Sequence, residues 1–152
     1  MSTSTVTYEV DGWGVGKLWL DGDRLLHHDL PRPSDEPADG SHPLAERLQA
    51  YFAGADDSFE DVELDVGSET TFQQAVVHIL RSIPRGETVT YGELAALAGY
   101  PNAHRAAGTV CARNRFPILI PCHRVTGAVG LGRFGSLGTS YKQRLLALEG
   151  AA

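Results

Sequence analysis

Cysteine is scarce in this 152-residue sequence: Cys111 and Cys122 are the only two, there is one methionine, and no apolar run is long enough to span a bilayer. The spacing C-x10-C fits no zinc pattern, and no C-x-x-C or H-x3-H accompanies it, so neither a metal nor another cofactor is expected. The first residues, MSTSTVTYEVDGWG, lack the basic and apolar regions of a signal peptide, and the expectation is a cytoplasmic, unprocessed chain without membrane contact. His27 and His28 are neighbours on a predicted strand and point to opposite faces, and His78 stands alone on a predicted helix. A hydrophobic content of 42% with 21% charged residues excludes wholesale disorder.

Positive charge is scarce in one half. Residues 1–68 hold four Lys and Arg against fifteen Asp and Glu, a balance of −11, whereas residues 69–152 hold nine against four, a balance of +5. A basic half suits a phosphate-bearing partner that an acidic half would repel, and compositional drift is the alternative. The chain is accordingly divided at residue 68, into an N-terminal domain of 1–68 and a C-terminal domain of 69–152.

In the first half, TVTYEV, GKLWL and RLLHHDL alternate as strands do, separated by the turn sequences DGWGVG and DGD. A Pro- and Asp-rich loop leads to a helix with Leu44, Leu48, Tyr51 and Phe52 on one face, Ser41 as its cap and Gly54 as its stop; DVELDV reads as one more strand. From Phe72 the apolar period becomes helical, through Ala75, Val76, Ile79, Leu80 and Ile83, and ends at Pro84. YGELAALAG forms a second helix, with Thr90 and Glu93 as a capping box and Gly99 as its left-handed stop. AHRAAGTVCARN forms a third, capped by Asn102, and SYKQRLLALEG a last one closed by Gly150. The whole is an α+β protein: antiparallel strands plus a helix, then a mostly helical, winged-helix-like domain with a helix-turn-helix.

The third helix has a bare face. Ala103, Ala106, Ala107 and Gly108 surround one long cation, Arg105. Such a face suits close approach to a narrow minor groove, and equally a tightly packed internal helix. Cys122 lies in ILIPCHRV, after an apolar run and beside His123 and Arg124. A free thiol near neutral pH is mostly protonated, so a nucleophilic cysteine needs a base or cation nearby; an inert buried thiol is the alternative.

Taken together, TVTYGELAALAG-YPNAHRAAG, Asn114, FPILIPCHRV and K…LLALEG resemble the O6-alkylguanine-DNA alkyltransferases, the methylated-DNA–protein-cysteine methyltransferase family, over residues 70 to 150. Over 1–68 the likeness is weak. The resemblance implies single-turnover DNA repair, in which Cys122 takes an alkyl group from O6-alkylguanine, and by extension from O4-alkylthymine. His123 would be the base, oriented by Glu149; Tyr91 would donate toward the purine, and Asn114 would tie the recognition helix to the active loop. Arg105 would enter the duplex in place of the flipped nucleotide. Ala103, His104, Ala106, Gly108, Arg113, Arg115 and Arg124 would face the DNA, and Val125, Phe134 and Ser136 would line the base pocket. The implied partner is double-stranded DNA with alkylated guanine, bound by a monomer through the minor groove, with weak sequence preference and strong salt dependence.

The chain departs from the family pattern at Arg115, where proline is usual, at His104, and in RFGSLG. The cysteine-containing N-terminal zinc site of some members is absent, because residues 1–68 have no cysteine. Three rival readings stand beside this one: a non-catalytic relative that binds alkylated DNA and recruits other factors, a Cys-His hydrolase, and a winged-helix regulator with Cys122 as redox sensor.

Overall fold

The computed structural model describes residues 3–67, 69–128, 130–132 and 137–151. The chain forms two compact units: Met1–Gly67 with Arg115–Pro117, and Ser68–Asn114 with Ile118–Ala152. Against the expected domains of 1–68 and 69–152, the second unit begins at Ser68 and the tripeptide Arg115–Pro117 belongs to the first.

In the first unit, β1 (Thr3–Val10), β2 (Gly14–Asp21) and β3 (Arg24–Arg32) form an antiparallel meander in the order β1-β2-β3. Helix α1 (Pro43–Phe52) packs against β1 and buries Leu44, Leu48, Tyr51 and Phe52. Its cap is His42, not Ser41: the His42 ring accepts from the Leu44 N–H at 3.1 Å, and Pro43 pre-sets the first turn. DVELDV makes no strand ladder. It contributes one parallel bridge, with Leu25 N–H donating to Glu63 O at 2.9 Å and Asp65 N–H to Leu25 O at 2.8 Å.

Tyr8 lies across from Gly16, where a Cβ would sit 2.4 Å from the Tyr8 ring; only glycine admits that ring. The buried Tyr8 hydroxyl is thereby placed 2.5 Å from His28 Nε2. His28 Nδ1 lies 2.8 Å from Pro117 O, so Nδ1 carries the proton and Nε2 accepts from Tyr8. The two histidines of β3 do face opposite ways, His27 pairing with Asp29 at 2.8 Å. Arg115 is tied into the same unit. It donates to Leu26 O at 2.8 Å and to Asp65 O, its ring neighbour is Phe116, and its own carbonyl accepts from His28 N–H at 2.9 Å.

The second unit is mostly helical: α2 (Thr71–Ser82), α3 (Tyr91–Leu97), α4 (His104–Ala112) and α5 (Gly138–Leu148). Thr70 and Gln73 form a capping box on α2, and Thr90 and Glu93 form the expected one on α3. Gly99 closes α3 at φ 93°. Helix α4 starts at Ala103 without a side-chain cap, because Asn102 takes the left-handed conformation (φ 76°) in the turn instead of the extended one a cap requires. Helices α3 and α4 pack as the helix-turn-helix pair. Two short parallel strands, β4 (Val89–Thr90) and β5 (Val125–Thr126), pair Val89 with Val125 and Thr90 with Thr126. Val76, Leu80, Leu94, Leu119, Val125, Leu145 and Leu146 make the core. Among the described residues, no helix is long and apolar enough to cross a membrane.

Burial holds the His28 pKa down at about 4, against the opposing effect of the bond to Pro117. Between that value and the ordinary 6.5 the unfolded chain binds a proton that the folded one refuses, so stability falls as pH falls. Urea unfolding should lose about 3 kcal/mol between pH 7 and pH 4 from this residue. A His28→Gln variant should be less stable at neutral pH and lose less over that window; an equal loss would place the acid sensitivity elsewhere.

Candidate active site

The approach to Cys122 is built by its own sequence. The apolar run Phe116, Ile118, Leu119 and Ile120 is buried, and Ile118 holds φ 75°, a conformation that a β-branched residue keeps only when its surroundings impose it. Pro121 (φ −80°, ψ 65°) makes an inverse γ-turn, closed by Cys122 N–H to Ile120 O at 2.8 Å. Cys122–Arg124 then forms one 3-10 turn, held by Arg124 N–H to Pro121 O at 3.0 Å. Asn114 Nδ2, from the residue after the α4 cap, donates to Ile120 O at 2.8 Å and lies 3.3 Å from Cys122 Sγ. It joins the end of α4 to the thiol through one amide.

The same turn delivers His123 and Arg124 to Glu149, the C-cap of α5. Acid at a helix C-terminus opposes the dipole and needs compensation. Here His123 Nε2 is 2.7 Å from Glu149 Oε2, and Arg124 donates from Nε to Oε1 and from Nη2 to Oε2, each at 2.9 Å. Arg124 Nη1 also donates to Ile83 O, beyond the end of α2, at 2.6 Å. All three side chains are buried. Because the carboxylate accepts at Nε2, the imidazole proton sits there and Nδ1 is the basic nitrogen. Nδ1 is buried and has no hydrogen-bond partner among the described residues. Burial pushes the His123 pKa down, against the pull of Glu149, so the ring is neutral at physiological pH.

The thiol is also kept neutral. A hydrogen bond with Cys111 and burial push Cys122 well up, opposed by Asn114 and by the Lys142 ammonium. Tyr91, the first residue of α3, is set beside this turn by the pairing of β4 with β5. Burial, then the two thiols, push its phenol up to about 12, so it remains a proton donor. A Cβ on Gly132 would come within 3.1 Å of the Tyr91 ring and 3.3 Å of its hydroxyl, and Lys142 Nζ lies 5.7 Å from the ring centroid. Gly132 stood outside every motif of the sequence, and Lys142, the lysine of K…LLALEG, had no role assigned to it. A lysine on an amphipathic helix ordinarily faces water, yet Lys142 is fully buried.

On α4, His104, Arg105 and Ala106 are exposed, as is Arg113 at its end, while Ala103 and Gly108 are half-buried and only Ala107 is fully buried. The small residues thus do not make an internal helix. Arg105 makes no side-chain hydrogen bond or ion pair with any described residue. Of the expected DNA-facing cations, Arg124 is buried, whereas Arg115 is exposed. Arg124 is 6% exposed and spends its guanidinium on Glu149 and Ile83 O, and Arg115 holds the carbonyls of Leu26 and Asp65. Val125 is buried in β5 with its N–H on Cys122 O. Phe134 and Ser136 lie outside the described residues. Among the described residues no group of three or more His, Cys, Asp or Glu could hold a metal.

Residues 71–151 match the family model for the 6-O-methylguanine DNA methyltransferase, DNA binding domain. A methylated-DNA–protein-cysteine methyltransferase of Methanopyrus kandleri is 41% identical over 84% of this chain and 96% of its own. One of Mycolicibacterium paratuberculosis is 51% identical over 68% of this chain and 62% of its own. The crystal structure of Mycobacterium tuberculosis OGT in complex with DNA superposes with a TM-score of 0.77 at 35% identity, covering 95% of this chain and 92% of that one.

The placement of Arg124 separates internal support from DNA contact. Arg124→Lys keeps the charge but not the two-pronged bond to Glu149, and should lower stability by about 1–3 kcal/mol while duplex affinity stays within about twofold. Calorimetric unfolding and fluorescence anisotropy measure the two. Weakened DNA binding at unchanged stability would return Arg124 to the DNA face.

Proposed function

The chain belongs to the methylated-DNA–protein-cysteine methyltransferase family, and from that premise we propose that it repairs DNA by direct reversal, moving an alkyl group from O6 of guanine onto Cys122 Sγ. The observation that carries this reading is the buried Glu149–His123 pair adjoining Cys122 in one turn, with His123 Nδ1 as the basic nitrogen. Glu149 fixes the tautomer, His123 accepts the thiol proton, directly or through a water, and the sulfur attacks the alkyl carbon. The S–C bond forms as the C–O6 bond breaks, and the electron pair leaves with the purine. Tyr91, kept protonated, donates toward the leaving base, and the proton taken from the thiol completes the balance. O4-alkylthymine would present the same carbon–oxygen bond.

The product is a thioether, which is not a leaving group under these conditions, so each molecule acts once. O6 lies within the base stack, and the target must be flipped out at a cost of a few kcal/mol. Arg105, exposed on α4 among small neighbours, is the side chain to fill the gap from the minor groove, and His104, Ala106 and Arg113 flank it on the exposed surface. Binding is mainly to phosphates and therefore weakly sequence-dependent. The protein acts as a cytoplasmic monomer and needs no cofactor. Cys122 itself speaks against a non-catalytic relative that only marks damage, since such a relative has no use for a thiol held by Asn114 beside a base.

Incubated with a duplex carrying O6-methylguanine, the intact protein should gain the mass of one methyl group, and Cys122→Ala should gain nothing. Unmodified protein with the lesion intact would sink the proposal. Arg105→Ala should slow repair in the duplex by at least about tenfold yet react normally with free O6-benzylguanine; equal losses on both substrates would mean that Arg105 does not assist flipping.

A further inference from the structure

The buried face of α5 carries two opposite charges. Lys142, Leu145, Leu146 and Glu149 follow the i, i+3, i+4, i+7 spacing of one helical side, and all four are buried. The helix packs against the Cys122–Arg124 turn, where Glu149 meets His123. Lys142 stands two turns back, about 10 Å along the axis, and is fully buried. An ammonium taken out of water is costly and persists only with compensating contacts. The face of Tyr91 supplies one: Nζ lies over the ring, 5.7 Å from its centroid. The edges of the same ring lie beside glycines. A Cβ on Gly132 would come within 3.1 Å of Cε2, and one on Gly108 of α4 would stand 3.8 Å from Cδ1, on the opposite edge. Neither glycine offers a side chain to those edges, so the contact on the face carries more of the ring's orientation.

We propose that Lys142 is a positioning residue for alkyl transfer, acting through Tyr91: its ammonium holds the phenol by one face, with the hydroxyl toward the departing base, and makes that hydroxyl a readier donor as negative charge passes to the purine. The proposal rests on the reading of Cys122 as an alkyl acceptor. Before reaction the ammonium faces neutral groups, and its charge gains little from them. In the transition state the thiol proton has left for His123 Nδ1, and the electron pair is passing from sulfur through the alkyl carbon to the purine. A fixed positive charge favours that state over the resting one. The electrostatics run the same way: burial lowers the Lys142 pKa while the two thiols hold it up, and its charge draws Cys122 down against the stronger upward effects. An apolar side chain of the same length would fill the space at a smaller desolvation cost, so the charge serves the reaction and not the packing.

Lys142→Met keeps the length and removes the charge. With free O6-benzylguanine, its saturating transfer rate should fall at least about tenfold while the half-saturating concentration stays within about twofold. Its melting temperature should stay within about 4 °C of the wild type. In Tyr91→Phe, which keeps the ring and removes the donor, the same change should slow transfer by less than about twofold more. An unslowed Lys142→Met, or equal slowing in both backgrounds, would overturn the proposal while the wild type still reacts. A larger fall in melting temperature, or a variant that does not fold, would make Lys142 a packing residue and overturn it too. Wild-type protein that takes no benzyl group from this substrate and no methyl from the methylated duplex would overturn the repair reading and this proposal together.

Discussion

Glu149 is a carboxylate taken wholly out of water, and such a charge persists only with partners that meet it at hydrogen-bond distance. Arg124 supplies the opposing charge in two prongs and His123 the third bond, from a turn three residues long. The short turn is what makes the constraint productive. Because His123 and Arg124 are anchored on the end of α5, Cys122 next to them has little freedom, and Asn114 fixes its other side. Arg124 carries the anchor on to Ile83 at the end of α2, while β5 follows the turn and aligns β4, which opens directly into Tyr91. Removing the carboxylate would release a buried cation, an imidazole and the orientation of the thiol together.

Burial sets the chemistry in one direction. Together with the neighbouring Cys111 thiol, which acts more strongly, it raises the Cys122 thiol, and it lowers the imidazole, so Cys122 and His123 rest as a neutral pair and not as thiolate and imidazolium. A resting thiolate would react with any electrophile that reached it. A neutral thiol becomes nucleophilic as its proton moves to Nδ1, which confines reactivity to a substrate already in place. Tyr91, kept protonated by the same burial, holds its proton for the departing base.

Much of this was legible in the sequence, for reasons that are local. The capping box at Thr90 and Glu93, the stop at Pro84, the three alternating strands and the run into Cys122 all depend on neighbours within a few residues. What was misread depends on distant ones. Arg124, in a basic segment beside a nucleophile, has the look of a phosphate contact, yet its partners lie 25 and 41 residues away. Arg115, although exposed, donates to carbonyls 89 and 50 residues distant, which its place after Asn114 does not reveal. Lys142 shows a helical lysine and no more until the packing of α5 is known. Asn102 and Ser41 have the chemistry of caps, but the turn geometry gave one a left-handed backbone and left the other capping to His42.

Everything in this site turns on Glu149 fixing His123 as a neutral ring protonated at Nε2, which leaves Nδ1 to receive the thiol proton. Nitrogen NMR of the protein with labelled histidine rings reads both atoms directly. The expected result is a protonated Nε2 and a bare Nδ1 at neutral pH, with the signal lost in His123→Gln. A ring protonated at Nδ1, or an imidazolium at neutral pH, would contradict it.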